Sequence, residues 1–332
     1  HYTDSGSDAT SFSYVDSLGQ YLENSWNKEV DSFGFSSPTD TMIDVYIYDR
    51  GPAGTTYTDC LFGSGQISMD TDFNLSDSEL KIVSAHEFFH IVQTKYDFCN
   101  EEDWILEGTA TWMEDAVYDE VNLYFERLLE ITKDTNVPIM SEDDLHEYGT
   151  VMYWKFFSEK YGTDGKGGKC YENCGVSECG INIMKELMTQ TIGITIPNTG
   201  INAIDNILKT KSSSWISSFS DWLIANYAKD LGNPYLNGYY DYCEDEELPP
   251  IFVYPRVIPR FLNTISGGQI IRIPEMDSRY VQQWASEYIE IRPRASVGKI
   301  EISFDNVVGI NDLSLRVLFI KNNTIKILYL FS

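Results

Sequence analysis

Two of the chain's four histidines stand four residues apart, His86 and His90 in SAHEFFHIVQ (84–93), with Glu87 directly after the first. On a helix, residues i and i+4 lie one turn apart, so both imidazoles can point into the same space. Two imidazoles suit a borderline-soft Zn2+, and Glu87 would project toward the remaining coordination position. From there it could take a proton from zinc-held water as that water attacks a carbonyl carbon. The pattern is short, and two hydrogen-bonded histidines on an amphipathic helix would look the same. A third ligand is needed, and WILEGTATWMED offers Glu107. Residues 91–106 leave room for a turn and the start of a returning helix. Gly108, a poor helix former, permits close approach beside that ligand. Glu114, two turns on along the same face, is expected to accept the outer N–H of a ligating histidine or to substitute as a ligand. The alternative for it is an exposed acid.

A donor for the tetrahedral oxygen is expected from DLHEYGTVMYW, which contains His146, Tyr148 and Tyr153. Tyr148 ranks first because it precedes Gly149 at the expected entrance of a helix. Tyr153 falls within that helix, where packing is the simpler use. His146 can be read as a proton donor or as a surface histidine.

These residues need rigid elements. Ser76 and Glu79 have capping-box spacing, and Ile82, Ala85, Phe89, Val92 and Tyr96 form an apolar stripe, which predicts a helix over 76–96. A second helix is expected from about 104 to 117, capped by Asn100 or Asp103. Further helices are expected at 121–131, 148–160, 179–190, 201–210 and 214–229. YVDSLGQYLENSWNKEV reads as an N-terminal helix, MIDVYIYD as an alternating strand, GPAGTTYTDCLFGSG as loop and QISMD as a short strand. A small sheet beside many helices is an α+β pattern. The acidic, proline-rich CEDEELPPIFVYPRVIPR predicts a boundary between residues 1–250 and 251–332. Beyond it, QIIRIP, YIEIRP, GKIEISFD, LSLRVLFI and TIKILYLF read as strands of a C-terminal β-sandwich, with an extension of the main sheet as the alternative.

Of 332 residues, 42% are hydrophobic, enough for a real core. The formal charge of −27 argues against a nucleic-acid partner, which needs a basic surface, and against adhesion to anionic membranes. No apolar run is long enough to cross a bilayer, so no integral membrane segment is expected. Six cysteines allow fifteen disulfide pairings. Cys170, Cys174 and Cys179 sit in a turn-rich piece read as a stapled loop, with a zinc knuckle as the weaker reading.

AHEFFHIVQTKYDFCNEEDWILEGTATWMED (85–115) resembles the core of secreted zinc metallopeptidases of the gluzincin type. It is most similar to a bacterial and archaeal metalloprotease group that carries HEFFH, then YD, then W–EGTA–W–ED. Looser likeness reaches YVDSLGQYLENSW, GQISMD and YGTVMYWKFFSEKYG, spanning residues 12–230. The resemblance implies a mainly helical zincin-like domain, zinc ligands His86, His90 and Glu107, and Glu87 as general base. It also implies an edge strand that pairs with extended peptide, which would be GQISMD, with Gly65, Gln66, Ile67 and Ser68 binding substrate.

The remaining signals carry less. DTDFNLSDSELK fails the EF-hand pattern at Leu75 and Lys81, which leaves a structural Ca2+ site of another kind as an expectation. Asn74 and Asn322 begin glycosylation sequons, and His1 could bind copper only with a partner histidine. The function expected is a secreted or cell-surface zinc endopeptidase acting on proteins or peptides. The alternative is an exported structural or adhesive protein on a peptidase-like scaffold, engaged with a surface assembly.

Overall fold

A computed structural model describes residues 1–49, 51–59, 64–71, 75–96, 101–142, 145–172, 179–190, 199–228, 242–243, 254–255, 257–259, 261–265, 281–293, 315–321 and 324–331. The fold is mixed α+β. Helix α1 (Phe12–Trp26) runs into a π-helical stretch, Asn27–Ser32, and then three short strands form one sheet. These are β1 (Asp44–Ile47), β2 (Gly54–Asp59) and β3 (Ser64–Met69), in the order β1-β3-β2. β1 runs parallel to β3, and β2 runs antiparallel to it with Thr56 opposite Ile67.

Two expectations change here. GTTYTD, expected within a loop, is β2. GQISMD is not an edge, because β3 is paired on both sides, so Gly65–Ser68 present no free strand edge to a peptide. Local composition cannot report this order, since strand position depends on chain neighbours.

Helix α2 (Asp77–Gln93) begins at the expected capping box, with Ser76 and Glu79 each bonded to the other's backbone N–H. It is buried on two sides. Leu80 and Ile91 pack with Ile47, Ile67, Met69 and Leu18 between sheet and α1. Ala85, Phe88, Phe89 and Val92 join the main helical core. Phe88 meets Trp26, with ring centroids 5.6 Å apart.

Helix α3 (Asp103–Val117) returns against α2, with Glu102 as its N-cap rather than the expected Asn100 or Asp103. Next come α4 (Phe125–Thr132), the single turn α5 (His146–Gly149) and α6 (Val151–Tyr161). Helices α7 (Ile181–Gln190), α8 (Gly200–Thr210) and α9 (Trp215–Ala228) close the core. Buried ion pairs Lys155–Asp115 and Lys160–Asp221 tie α6 to α3 and α9.

A disulfide joins Cys170 to Cys179, and Cys243 is also disulfide-bonded. Cysteines so engaged offer no thiolate for a zinc knuckle. Cys174 lies outside the described residues.

In the C-terminal region β4 (Phe261–Ile265) pairs parallel with β5 (Ile289–Pro293), and β6 (Leu315–Lys321) pairs antiparallel with β7 (Thr324–Phe331). Among the described residues these are two separate two-stranded pairs. QIIRIP and GKIEISFD lie outside the described residues. Residues on this side of the expected boundary pack on the helical core. Trp284 meets Trp215 and Phe219 at 5.5 and 6.0 Å, and its carbonyl accepts from the Ile139 N–H at 3.0 Å. The Tyr254 hydroxyl lies 3.1 Å from that of Tyr124. Among the described residues no helix is long and apolar enough to cross a membrane.

Candidate metal centre

The capping box and two-sided packing of α2 hold one short polar face steady, and that face carries His86, Glu87 and His90. Glu107 arrives from the second turn of α3. The distances are 3.0 Å from His86 Nε2 to Glu107 Oε2, 3.1 Å between the two Nε2 atoms, and 3.4 Å from His90 Nε2 to Glu107 Oε2. Tetrahedral ligands at zinc bond lengths stand about 3.3 Å apart. The triangle therefore has the size of one face of a zinc tetrahedron. Its two imidazole nitrogens and one carboxylate oxygen are a donor set that Zn2+ accepts. Among the described residues, this is the one group of three or more His, Cys, Asp or Glu placed to hold a metal ion.

Each imidazole is held from behind. His86 Nδ1 lies 2.7 Å from Glu114 Oε1, in the position expected for Glu114. His90 Nδ1 lies 2.8 Å from Gln93 Oε1, while the Gln93 amide donates to the Leu106 carbonyl and Thr109 Oγ1, both at 3.0 Å. Such partners fix the ring so that Nε2 faces the centre. Sequence reasoning missed Gln93, although its place three residues after His90 on one helix was a usable signal.

Burial disfavours a charged His86, but Glu107 and Glu114 outweigh it and raise the imidazole well above its ordinary value. Burial likewise opposes ionisation of Glu107, yet hydrogen bonds and charge from His86 and His90 hold it well below the carboxylate range. Glu114→Ala removes the partner of His86 Nδ1, and zinc affinity is expected to fall about 10- to 100-fold in a chelator competition. An unchanged affinity would remove Glu114 from the site.

Glu87 supplies no corner of the triangle. Its Oε2 accepts from Thr56 Oγ1 at 2.7 Å, which ties it to β2. Gly54 makes this approach possible, since a Cβ there would fall 2.7 Å from Glu87 Oε1 and 2.8 Å from Val83 Cγ1. Among the described residues the outer strand beside the centre is thus β2, with Gly54 and Thr56 as residues the sequence did not flag.

Of the donor candidates, Tyr148 reaches the site. Its ring stacks on His86 with centroids 5.7 Å apart and planes 24° apart. Burial, followed by the charge of and a hydrogen bond to Glu107, raises its phenol pKa, so it remains a proton donor across the neutral range. The preceding Leu145 has a φ of 70°, an uncommon conformation for a residue with a Cβ, and this turn starts α5. Tyr153 is core, with its hydroxyl 3.1 Å from Ser218 Oγ. His146 is buried rather than on the surface, and burial lowers its pKa against the opposing pull of the Glu130 and Pro138 backbone. It forms no hydrogen bond or ring contact with the three donors.

Neither a family model, nor a curated protein, nor a solved structure matches this chain. The candidate metal centre therefore rests on its own geometry.

One buried acid stands apart. Glu29, in the π-helical stretch, has no exposed surface, and neither carboxylate oxygen has a hydrogen-bond partner. Burial raises its pKa well above 4.5, with His86 acting in the opposite direction. A raised folded value means that Glu29's contribution to stability is fully present below pH 4.5 and is lost as pH rises through that raised value. Glu29→Gln, which cannot ionise, should therefore gain stability over wild type progressively from pH 4.5 upward. Urea denaturation of the metal-free protein at several pH values measures this. A constant difference between the two proteins would contradict it.

Proposed function

We propose that this chain is a zinc-dependent endopeptidase that hydrolyses peptide bonds in extracellular proteins or peptides. The observation that carries the reading is the triangle of His86 Nε2, His90 Nε2 and Glu107 Oε2, with Glu87 beside it on α2. When bound, Zn2+ would supply Lewis acidity, polarising the scissile carbonyl and acidifying water. Glu87, oriented by Thr56, accepts the proton of the attacking water and returns it to the departing amine. Tyr148, protonated and stacked on His86, donates a hydrogen bond to the oxygen that gains charge as the carbonyl becomes tetrahedral. An extended substrate adds to the sheet as a further strand beside β2, the outer strand among the described residues.

The zincin-like plan follows from this reading, with the C-terminal strands as an accessory β-sandwich. The Cys170–Cys179 disulfide suits an oxidising compartment and supports secretion or surface display. The calcium expectation falls partly outside the described residues, at 72–74.

The test is metal analysis of the purified chain combined with incubation against a diverse peptide library. Stoichiometric zinc with cleavage that chelation stops and zinc restores is the expected outcome. A folded chain that binds no zinc and cleaves no peptide after zinc addition would sink the reading.

A further inference from the structure

Arg127 has no task in this chemistry. It lies exposed on α4, with its guanidinium carbon 5.4 Å from the centroid of the Tyr148 ring. Backbone contact between α4 and α5 sets that placement: a Cβ on Gly149 would fall 2.9 Å from the carbonyl oxygen of Arg127 and 3.2 Å from Glu130 Cβ. Lysines 81, 133, 155, 160, 209 and 211 are each paired with a carboxylate, whereas Arg127 forms no ion pair or hydrogen bond among the described residues. The other described arginines, Arg292 and Arg316, belong to β5 and β6.

The surroundings sharpen the point. Acidic charge is crowded here: Glu87 acts on Glu114, Glu107 acts on Glu147, and Glu107, Glu147 and Glu87 all act on the Tyr148 phenol. Besides the imidazoles of the centre, the cation whose charge acts on Glu114 is Arg127, which does so without a hydrogen bond to it. A guanidinium held over an aromatic ring can still present its planar fork of N–H donors to a carboxylate.

We propose that Arg127 is a specificity-determining residue that binds a carboxylate of the peptide substrate close to the scissile bond, either an acidic side chain or a free C-terminus. This rests on the peptidase reading.

The test uses the zinc-loaded full chain and matched peptide pairs. One arm compares Glu with Gln at each position flanking the cleaved bond, and the other compares a free C-terminal acid with its amide. Wild type is expected to favour the carboxylate member by on the order of 10- to 100-fold in kcat/KM. In R127Q that ratio should fall to about one, while R127K, which keeps the charge but loses the fork, should fall between. The arm that shows the preference identifies the source of the carboxylate.

The same pairs are titrated by fluorescence anisotropy against zinc-loaded E87Q with and without R127Q. A carboxylate preference in binding that disappears with R127Q supports the proposal. Ratios equal in the presence and absence of Arg127, in both arms, overturn it. If zinc is bound and no peptide is cleaved, the peptidase reading fails, and the binding ratios alone decide the role of Arg127.

Discussion

Glu87→Gln is expected to lower kcat/KM for peptide hydrolysis by on the order of 10²- to 10⁴-fold while zinc content stays at the wild-type level. The two halves of this result have separate causes. Glu87 contributes no atom to the His86–His90–Glu107 triangle, so removing its charge leaves all three ligands in place. An amide is nearly isosteric with the carboxylate, and its oxygen can still accept the hydrogen bond from Thr56 Oγ1. What it cannot do is take the proton of an attacking water. Rates on a fluorogenic peptide, with elemental analysis of the same sample, measure both halves. Activity within a few-fold of wild type would remove Glu87 from the role of base. Joint loss of zinc and activity would make it a structural support of the ligands instead.

Gly108→Ala is expected to destabilise the protein by roughly 3 kcal/mol, despite the gain of about 1 kcal/mol in helix propensity that alanine brings. A Cβ at this position would overlap Thr150 Oγ1 and fall 2.5 Å from Trp154 Nε1 and 2.7 Å from its Cδ1. Neither neighbour is a flexible end. Thr150 Oγ1 donates to the carbonyls of Trp104 and Glu147, at 2.8 and 2.6 Å, and so links α3 to the start of α6. Trp154 is fully buried and stacks on Trp104 with centroids 5.4 Å apart. Relief of the overlap requires α3 to move away from α6, which carries Glu107 with it. Zinc affinity should therefore fall along with the urea midpoint. A variant as stable as wild type would show that this interface can yield, and the close approach would lose its meaning.

The residues of the candidate metal centre were more legible than their surroundings. Spacing of four on a helix is a local property, so His86 and His90 could be placed on one face from the sequence. The capping box at Ser76 and Glu79 also acts within one turn, and α2 starts where it predicts. Glu107 was inferred from a separation compatible with a returning helix, and Glu114 from helical periodicity along the same element.

Matters that depend on partners distant in the chain came out differently. β2 was read as loop although Thr55, Thr56, Tyr57 and Thr58 are residue types that favour strands, because the strand is defined by its pairing with β3, a partner its own residues do not name. Among the described residues the same contact makes Gly54–Asp59, and not Gly65–Ser68, the outer strand of the sheet, since a strand's place is set by what pairs on its other side. His146 and Tyr148 are two residues apart on one short turn, yet one points into packing and the other onto His86.

The sequence by itself determined that His86, Glu87 and His90 share one face of a helix and that Glu107 can meet them from the next, because these follow from helical geometry and side-chain chemistry over short range. Only the tertiary structure decided which strand borders Glu87, that Gln93 holds His90, that Glu29 is buried without a partner and that Arg127 lies over Tyr148. Each of those depends on close packing between elements far apart in sequence, which residue types alone do not encode.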